Sequence, residues 1–213
     1  MPVALVIFLH GLGHTPQMWQ EQVTALPTGT KAVAPWLDGL RPGPVVDFDL
    51  TRAADSVLGQ LNRFGVDQAA LVGTGLGSAV AVAAAGRSPQ AVSHLVLADP
   101  LPRVGRMAGG LQRMAVRAMP RAALAEAGLD RARMLTLMKT AAGLDLRRWL
   151  PQVEAPALVV AGSGNPPGVT AGRDLAGAIA GARFELIGRA GACAPLDAPA
   201  EFNSLLYDFL AAG

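Results

Sequence analysis

The chain has 213 residues, of which 51% are hydrophobic and 16% are charged, and this length suits one domain with a large buried core. Its 18 basic and 16 acidic residues leave a net charge of +2, a field too weak to indicate nucleic acid or a membrane surface as a partner. No apolar run reaches the roughly 18 residues of a membrane-spanning helix, so we expect no span.

Short apolar runs bounded by turn residues predict six strands, at 3–10, 31–36, 68–73, 93–99, 157–162 and 183–188. Apolar residues at helical spacing predict helices near 16–26, 50–64, 76–87, 171–180 and 199–211. Asp49 and Thr51 are candidate N-caps, and Pro199 with Glu201 suits a first helical turn. This alternation predicts an α/β fold, with a mainly parallel six-stranded sheet covered by helices on both faces.

One segment interrupts the alternation, because residues 100–150 contain no predicted strand. They indicate three or four short helices, divided at Gly110, Pro120, Gly128 and Gly143, and so a helical lid inserted into a core of residues 1–99 and 151–213. Methionine side chains there suit a large apolar ligand, although they would equally pack the lid onto the core or onto a second subunit. These methionines are Met107, Met114, Met119, Met134 and Met138.

Cysteine and histidine are scarce. The single Cys193 excludes an internal disulfide, and three histidines without ligand spacing argue against a structural zinc site. We therefore expect a cytoplasmic protein without metal or other cofactor.

Three stretches carry a resemblance to a known family: "VIFLHGLGHTPQMWQ" (6–20), "LVGTGLGSAVAVAAAGRSPQAVSHLVLADP" (71–100) and the segment 155–210. In this order they resemble the His-Gly turn, the nucleophile elbow, and the acid and histidine region of the α/β-hydrolase superfamily. The resemblance implies an α/β-hydrolase fold. Members usually carry an antiparallel hairpin before the first strand, and this sequence begins without it, which leaves open a homodimer through an exposed sheet edge.

The resemblance implies that all three catalytic positions are replaced. Gly75 stands at the nucleophile position of Gly73–Gly77, Asn165 at the acid position, and Ala192 seven residues before Pro199 at the histidine position. Thr74 and Ser78, on either side of the elbow, are not expected to present a hydroxyl at its tip. Glycine at the tip would relieve a strained backbone conformation.

The backbone part of the site is expected to remain. The resemblance implies an oxyanion hole made by the N–H groups of Leu12 and Leu76. His14, in the loop beside that hole, is the first candidate acid or base, or else an exposed loop histidine. Cys193, Asn165 and Asp99 come next as catalytic candidates, and His94 is expected at the surface.

Substrate contacts are expected at the elbow, along an aromatic wall and under the lid, and Trp36 could equally be ordinary core packing. The residues are Gly75, Trp36, Asp99, Met107, Met114, Met134, Met138 and Ala192.

These features favour a non-hydrolytic enzyme acting on a small, apolar carbonyl compound by cyclisation, aldol-type closure, dehydration or isomerisation. A catalytically silent ligand-binding protein is the alternative. Hydrolysis with unusual machinery is the least favoured of the three interpretations.

Overall fold

Six short strands form one parallel sheet in the computed structural model, which describes residues 3–43, 46–101 and 129–212. Each predicted strand is present, and the sheet order is β2-β1-β3-β4-β5-β6 with every neighbouring pair parallel. Three of the four inner strands, β1, β3 and β5, are buried along their whole length, which explains their continuous apolar sequence. The strands are β1 Leu5–Leu9, β2 Lys31–Val33, β3 Ala69–Thr74, β4 Val92–Ala98, β5 Ala157–Gly162 and β6 Arg183–Ile187.

The helices are α1 Gln20–Thr24, α2 Leu50–Phe64, α3 Leu76–Arg87, α4 Arg131–Ala142, α5 Pro166–Ala178, α6 Ala194–Asp197 and α7 Pro199–Ala211. Short 3-10 turns occupy Pro16–Trp19, Pro89–Ala91 and Leu150–Gln152. Asp49 caps α2 by accepting from the Arg52 N–H at 2.7 Å, whereas Thr51 lies inside the helix. Helix α5 begins five residues before the predicted position, because Pro166 and Pro167 fit the first turn of a helix.

Two apolar layers cover the sheet. On one face, α2, α3 and α5 pack over alternate strand residues, among them Ile7, Leu71 and Leu97. On the other face, α7 packs with Trp19 against Phe8 and its neighbours. The prediction of helices on both faces is therefore confirmed.

The predicted lid falls largely outside the described residues, which include neither Met107, Met114 nor Met119. Within its described part, α4 starts at the Asp130 cap and ends at Gly143. Met134 is buried and Met138 is partly buried against the core of the α2–α3 face. The guanidinium of Arg133 donates to the carbonyls of Gly39 and Arg41, which ties α4 to the loop after β2. The division into core and lid stays a prediction.

His94 differs from expectation, because it is buried in β4 and packs edge-on against Phe209 at 5.6 Å. The apolar α7 helix covers this end of the strand, and the sequence around His94 gives no sign of it. Among the helices of residues 3–43, 46–101 and 129–212, none has the length and apolar character needed to cross a bilayer.

Candidate active site

The turn from β3 into α3 holds Gly75 in a conformation that other residues adopt only under strain. Its dihedral angles are φ 53° and ψ −114°, and its N–H donates to the Ala98 carbonyl at 3.1 Å, which locks the turn to β4. A side chain at such an angle costs about 1–3 kcal/mol. The elbow backbone is therefore present, and glycine occupies its tip without strain.

The three glycines of this turn have different reasons to be there. A Cβ placed on Gly77 would lie 2.1 Å from the Leu9 carbonyl oxygen, and one on Gly73 would lie 2.5 Å from the Gly77 carbonyl. Both positions exclude a side chain because two backbones meet there. A Cβ on Gly75 would approach nothing nearer than Gly11 Cα at 3.8 Å and Leu101 Cδ2 at 3.9 Å. The described residues therefore leave room above Gly75 for one methyl-sized group, in ordinary van der Waals contact with Gly11 and Leu101.

Neither hydroxyl beside the elbow reaches its tip. The Ser78 hydroxyl is buried between the carbonyls of Gly73 and Ala98, at 2.8 and 3.1 Å. The Thr74 side chain is buried and hydrogen-bonds to the Cys193 thiol below the turn. The tip therefore has no side-chain nucleophile from either neighbour.

Two backbone segments meet above the tip. Leu76 is the first residue of α3, and the N–H groups of a first helical turn have no acceptor inside the helix. The Gly11–His14 turn is closed by the His14 N–H donating to the Gly11 carbonyl at 3.3 Å, and Gly11 Cα lies 3.8 Å from the position of a Cβ on Gly75. Gly13 has a φ of 83°, which places Leu12 in the first half of a type II turn.

His10 fixes this turn from below. The Leu37 N–H donates to His10 Nε2 at 3.2 Å, so the ring proton lies on Nδ1 and is donated to the Gly11 carbonyl at 3.0 Å. Burial lowers the pKa of His10 to about 4. His10 is a neutral structural group at physiological pH, and its ring packs edge-on against Trp36 at 5.2 Å.

His14 lies at the site with its ring against Gly11. Its Nδ1 is buried, has no hydrogen-bond partner among the described residues, and lies 3.4 Å from the position of a Cβ on Gly11. Burial lowers the pKa of His14, and the negative charge of Asp197 opposes that shift. A neutral imidazole with a free buried nitrogen can accept a proton.

Asp197, which the sequence reasoning missed, closes the loop after β6. Its Oδ2 accepts from the N–H groups of Gly191 and Cys193, at 2.8 and 3.3 Å. The available signal was an acidic residue two positions before Pro199, the proline that opens the last helix. The charge of Asp197 acts on His14 although the two residues are 183 positions apart in the chain. Local sequence patterns do not predict such long-range proximity.

Asp99 is buried and Cys193 is partly buried. The Asp99 carboxylate accepts from the N–H groups of Gly162 and Ala194, at 3.0 and 2.6 Å, and so joins the ends of β4 and β5 to the start of α6. Burial raises the pKa of Asp99, against the effect of these two hydrogen bonds. Burial and the Asp99 charge raise the pKa of the Cys193 thiol to about 12, which keeps it protonated and unreactive.

The other predicted positions are spread around the ends of the strands. Asn165 precedes α5, with its amide over Gly168 and no cap hydrogen bond from its side chain. Ala192 is exposed in the loop before α6. Met134 contacts the turn from above, since its Cε lies 3.1 Å from the position of a Cβ on Gly13.

A cleft of about 740 Å³ begins at Gly75. It runs between the first turn of α3 and one face of α5, under the segment that follows α4. Most of the side chains on its described walls are alanine and leucine. The sequence reasoning placed no site residue on α5, although Ala171, Leu175 and Ala178 recur there at helical spacing.

A family model described as the alpha/beta hydrolase family matches residues 6–205. The pimeloyl-(acyl-carrier protein) methyl ester esterase of Aromatoleum aromaticum is 35% identical over 92 residues, which cover 43% of this chain and 35% of that esterase. The enol-lactonase from Burkholderia xenovorans LB400 superposes with a TM-score of 0.81 at 22% identity, over 99% of this chain and 92% of that chain. A hydrolase from Pseudomonas aeruginosa PA01 superposes with a TM-score of 0.78 at 25% identity, over 98% of this chain and 90% of that chain.

These relatives contradict the predicted function. The sequence favoured a non-hydrolytic reaction or silent ligand binding, whereas the similar proteins are an esterase, an enol-lactonase and a hydrolase, which point to hydrolysis. The predicted function was wrong because it took the absence of a hydroxyl at Gly75 as evidence against hydrolysis. The prediction that the chain is an enzyme agrees with these relatives, whereas the prediction of a lyase or cyclase is not supported.

Proposed function

We propose that this chain, which belongs to the alpha/beta hydrolase family, hydrolyses carboxylic esters or lactones by direct attack of a water molecule. One observation carries the proposal: the elbow backbone is intact, and the described residues leave room above Gly75 for a group of methyl size, next to Gly11 of the turn that holds His14. A water molecule in that space would take the place of a serine hydroxyl.

In this proposal Gly75, Asn165 and Ala192 hold the positions of the family's nucleophile, acid and histidine. The backbone angles at Gly75 support the first assignment. The places of Asn165 directly before α5 and of Ala192 in the loop after β6 support the other two. None of the three side chains can transfer a proton from an attacking group, so another residue must do so.

His14 is the proposed base. Because burial lowers its pKa, the imidazole is neutral at physiological pH and accepts a proton from the water as the oxygen attacks the carbonyl carbon. The imidazolium then returns that proton to the departing alkoxide, which leaves the acid and the alcohol as products. For a lactone, the two products are the ends of one opened chain.

The backbone stabilises the charge that develops on the carbonyl oxygen. The N–H groups of Leu12 and Leu76 are the proposed donors, since they belong to the two segments that meet above Gly75. Alignment of the peptide dipoles of the 12-residue helix α3 adds a positive end at Leu76.

Asp197 is the proposed partner of His14. Its negative charge raises the pKa of His14 and so favours the imidazolium that forms during attack. The two N–H groups that Asp197 accepts hold its carboxylate in place in the loop after β6. The proposed role of Asp99 is structural only, because its carboxylate joins that loop to β4 and β5. Location in the cytoplasm, a small apolar ligand and a homodimer stay predictions.

The test is hydrolysis of short-chain esters and lactones by purified protein, measured as acid release. We expect His14→Gln to lower kcat/KM by at least about 100-fold, with an unchanged melting temperature, whereas Gln17→Ala, an exposed site three residues on, keeps the wild-type rate. In 18O-labelled water, intact-protein mass spectra during turnover should show no acyl adduct, with one labelled oxygen entering the acid. Equal rates for wild type and His14→Gln, or an acylated protein, would overturn the mechanism.

A further inference from the structure

We propose that the cleft beginning at Gly75 is the binding site for the acyl chain of the substrate, and that its occupant is an unbranched, uncharged aliphatic group. The position of the ester in this inference is taken from the proposed function. The nature of the acyl chain is inferred from the residues that line the cleft.

The cleft starts where the reaction would take place. Gly75 and Ser78 form its floor at the start of α3, and Leu101 lies at its rim. Leu101 Cδ2 is also one of the two atoms nearest to the position of a Cβ on Gly75. An acyl carbon held beside the Leu76 N–H therefore has its chain directed into the cleft.

One face of α5 gives the cleft its length. Ala171, Leu175 and Ala178 line it at positions i, i+4 and i+7, which lie on the same side of a helix. At 1.5 Å per residue the distance from Ala171 to Ala178 is about 10 Å. An extended octanoyl chain spans that distance.

The opposite wall is also made of small or branched aliphatic side chains. It includes Ala141, Leu144, Leu146 and Leu150, and the cleft has no aromatic side chain among its described lining residues. Such walls bind methylene groups through burial of apolar surface, at about 0.8 kcal/mol for each group. They offer no ring on which an aromatic acid would stack.

The charges at the cleft disfavour an anionic chain end. Arg147 donates to Asp145 through Nη2 at 2.6 Å and through Nε at 2.9 Å, so its charge is already compensated. The carboxylate of Asp174 then leaves the described lining with one net negative charge. A terminal carboxylate on the chain would be repelled by it.

The experiment is a chain-length series of p-nitrophenyl esters from acetate to decanoate. We expect kcat/KM of the wild-type protein to rise about fourfold per methylene up to octanoate, and to fall at least tenfold when the octanoyl chain ends in a carboxylate. Ala178→Trp, at an exposed position at the far end of the cleft, should remove at least nine-tenths of kcat/KM for octanoate and lower that for acetate by a much smaller factor. Ala180→Trp, an exposed alanine outside the cleft, is the matched control.

Binding of octanamide, measured by calorimetry, separates this inference from the proposed function. Octanamide should bind wild type and Ala180→Trp equally, and bind Ala178→Trp at least tenfold more weakly, even if no ester is hydrolysed. Equal affinity in all three proteins would overturn the acyl-chain site. An absence of hydrolysis with the expected binding differences would overturn the proposed function alone.

Discussion

Gly75 and Gly11 face each other across a gap of methyl size, with Gly11 Cα 3.8 Å from the position of a Cβ on Gly75. Among the described residues no atom excludes a methyl group there, and the backbone angle of Gly75 is what opposes it. Sterics and strain can therefore be measured separately in this turn.

We expect Gly75→Ala to fold with a free energy of unfolding lower by about 1–3 kcal/mol, the cost of a side chain at φ 53°. Its methyl group would also displace the attacking water, so ester hydrolysis should fall at least tenfold. Urea unfolding and acid release measure the two effects. Gly59→Ala, on the exposed face of α2 where a Cβ meets nothing within 4 Å, should instead gain about 0.5–1 kcal/mol. No stability loss in Gly75→Ala would contradict the strain argument.

At Gly77 it is steric clash, and not backbone strain, that opposes a side chain. A Cβ there would lie 2.1 Å from the Leu9 carbonyl oxygen, so Gly77→Ala must force β1 and α3 apart. We expect a loss of about 3 kcal/mol or more, beyond the usual cost of overpacking, seen as a lower urea midpoint or failure to fold. Gly177→Ala, in open space on α5, is the control and should unfold at the wild-type midpoint or above it.

Asp99 joins the ends of β4 and β5 to the start of α6 through two hydrogen bonds. In Asp99→Asn one of the two N–H groups faces an NH2 instead of an oxygen, because an amide has a single acceptor. We expect the free energy of unfolding to fall by about 1–3 kcal/mol. Exposed Asp67→Asn should change it by less than about 0.5 kcal/mol, and an equal small change in both variants would show that the bridge is dispensable.

Stability should fall in mild acid through His10. Its pKa is about 4 in the folded protein against 6.5 unfolded, so the unfolded chain binds the proton first. The contribution is fully present above pH 6.5 and is lost as pH falls towards 4, by about 3 kcal/mol in total. Protonation of Nε2 also removes the acceptor of the Leu37 N–H. We would measure the free energy of urea unfolding of wild type and His10→Gln at several pH values in this range. It should fall less steeply with decreasing pH in the variant, and equal steepness in both proteins would refute the assignment.

Asp197 should set the pH dependence of catalysis. Activity requires neutral His14, so kcat/KM should fall as pH drops through the His14 pKa, which Asp197 raises. Asp197→Asn should therefore move that acid limb to lower pH and reduce the rate several-fold at neutral pH, because the imidazolium loses its counter-charge. Asp208→Asn, at an exposed position on α7, should leave the acid side of the kcat/KM–pH profile unchanged. An unchanged profile in Asp197→Asn would remove Asp197 from the mechanism.

Local patterns predicted the framework well. Six strands were predicted in the right places, and the runs around Ile7, Leu71 and Val159 were the clearest because a strand buried on both faces must be continuously apolar. The start of α5 was missed because periodicity was weighted above the two prolines that open it. His94 was misplaced because burial by α7 depends on residues more than 100 positions away.

The amino-acid sequence by itself determined the parallel sheet, the turn at Gly75 and the absence of a hydroxyl at its tip, since these depend on local periodicity and residue identity. Only the tertiary structure decided which groups meet there. It placed His14 Nδ1, which has no partner among the described residues, against Gly11, directed the charge of Asp197 towards it, and buried Asp99 beside the partly buried Cys193. Packing sets the pKa of each of these groups, and packing joins residues that are far apart in the chain.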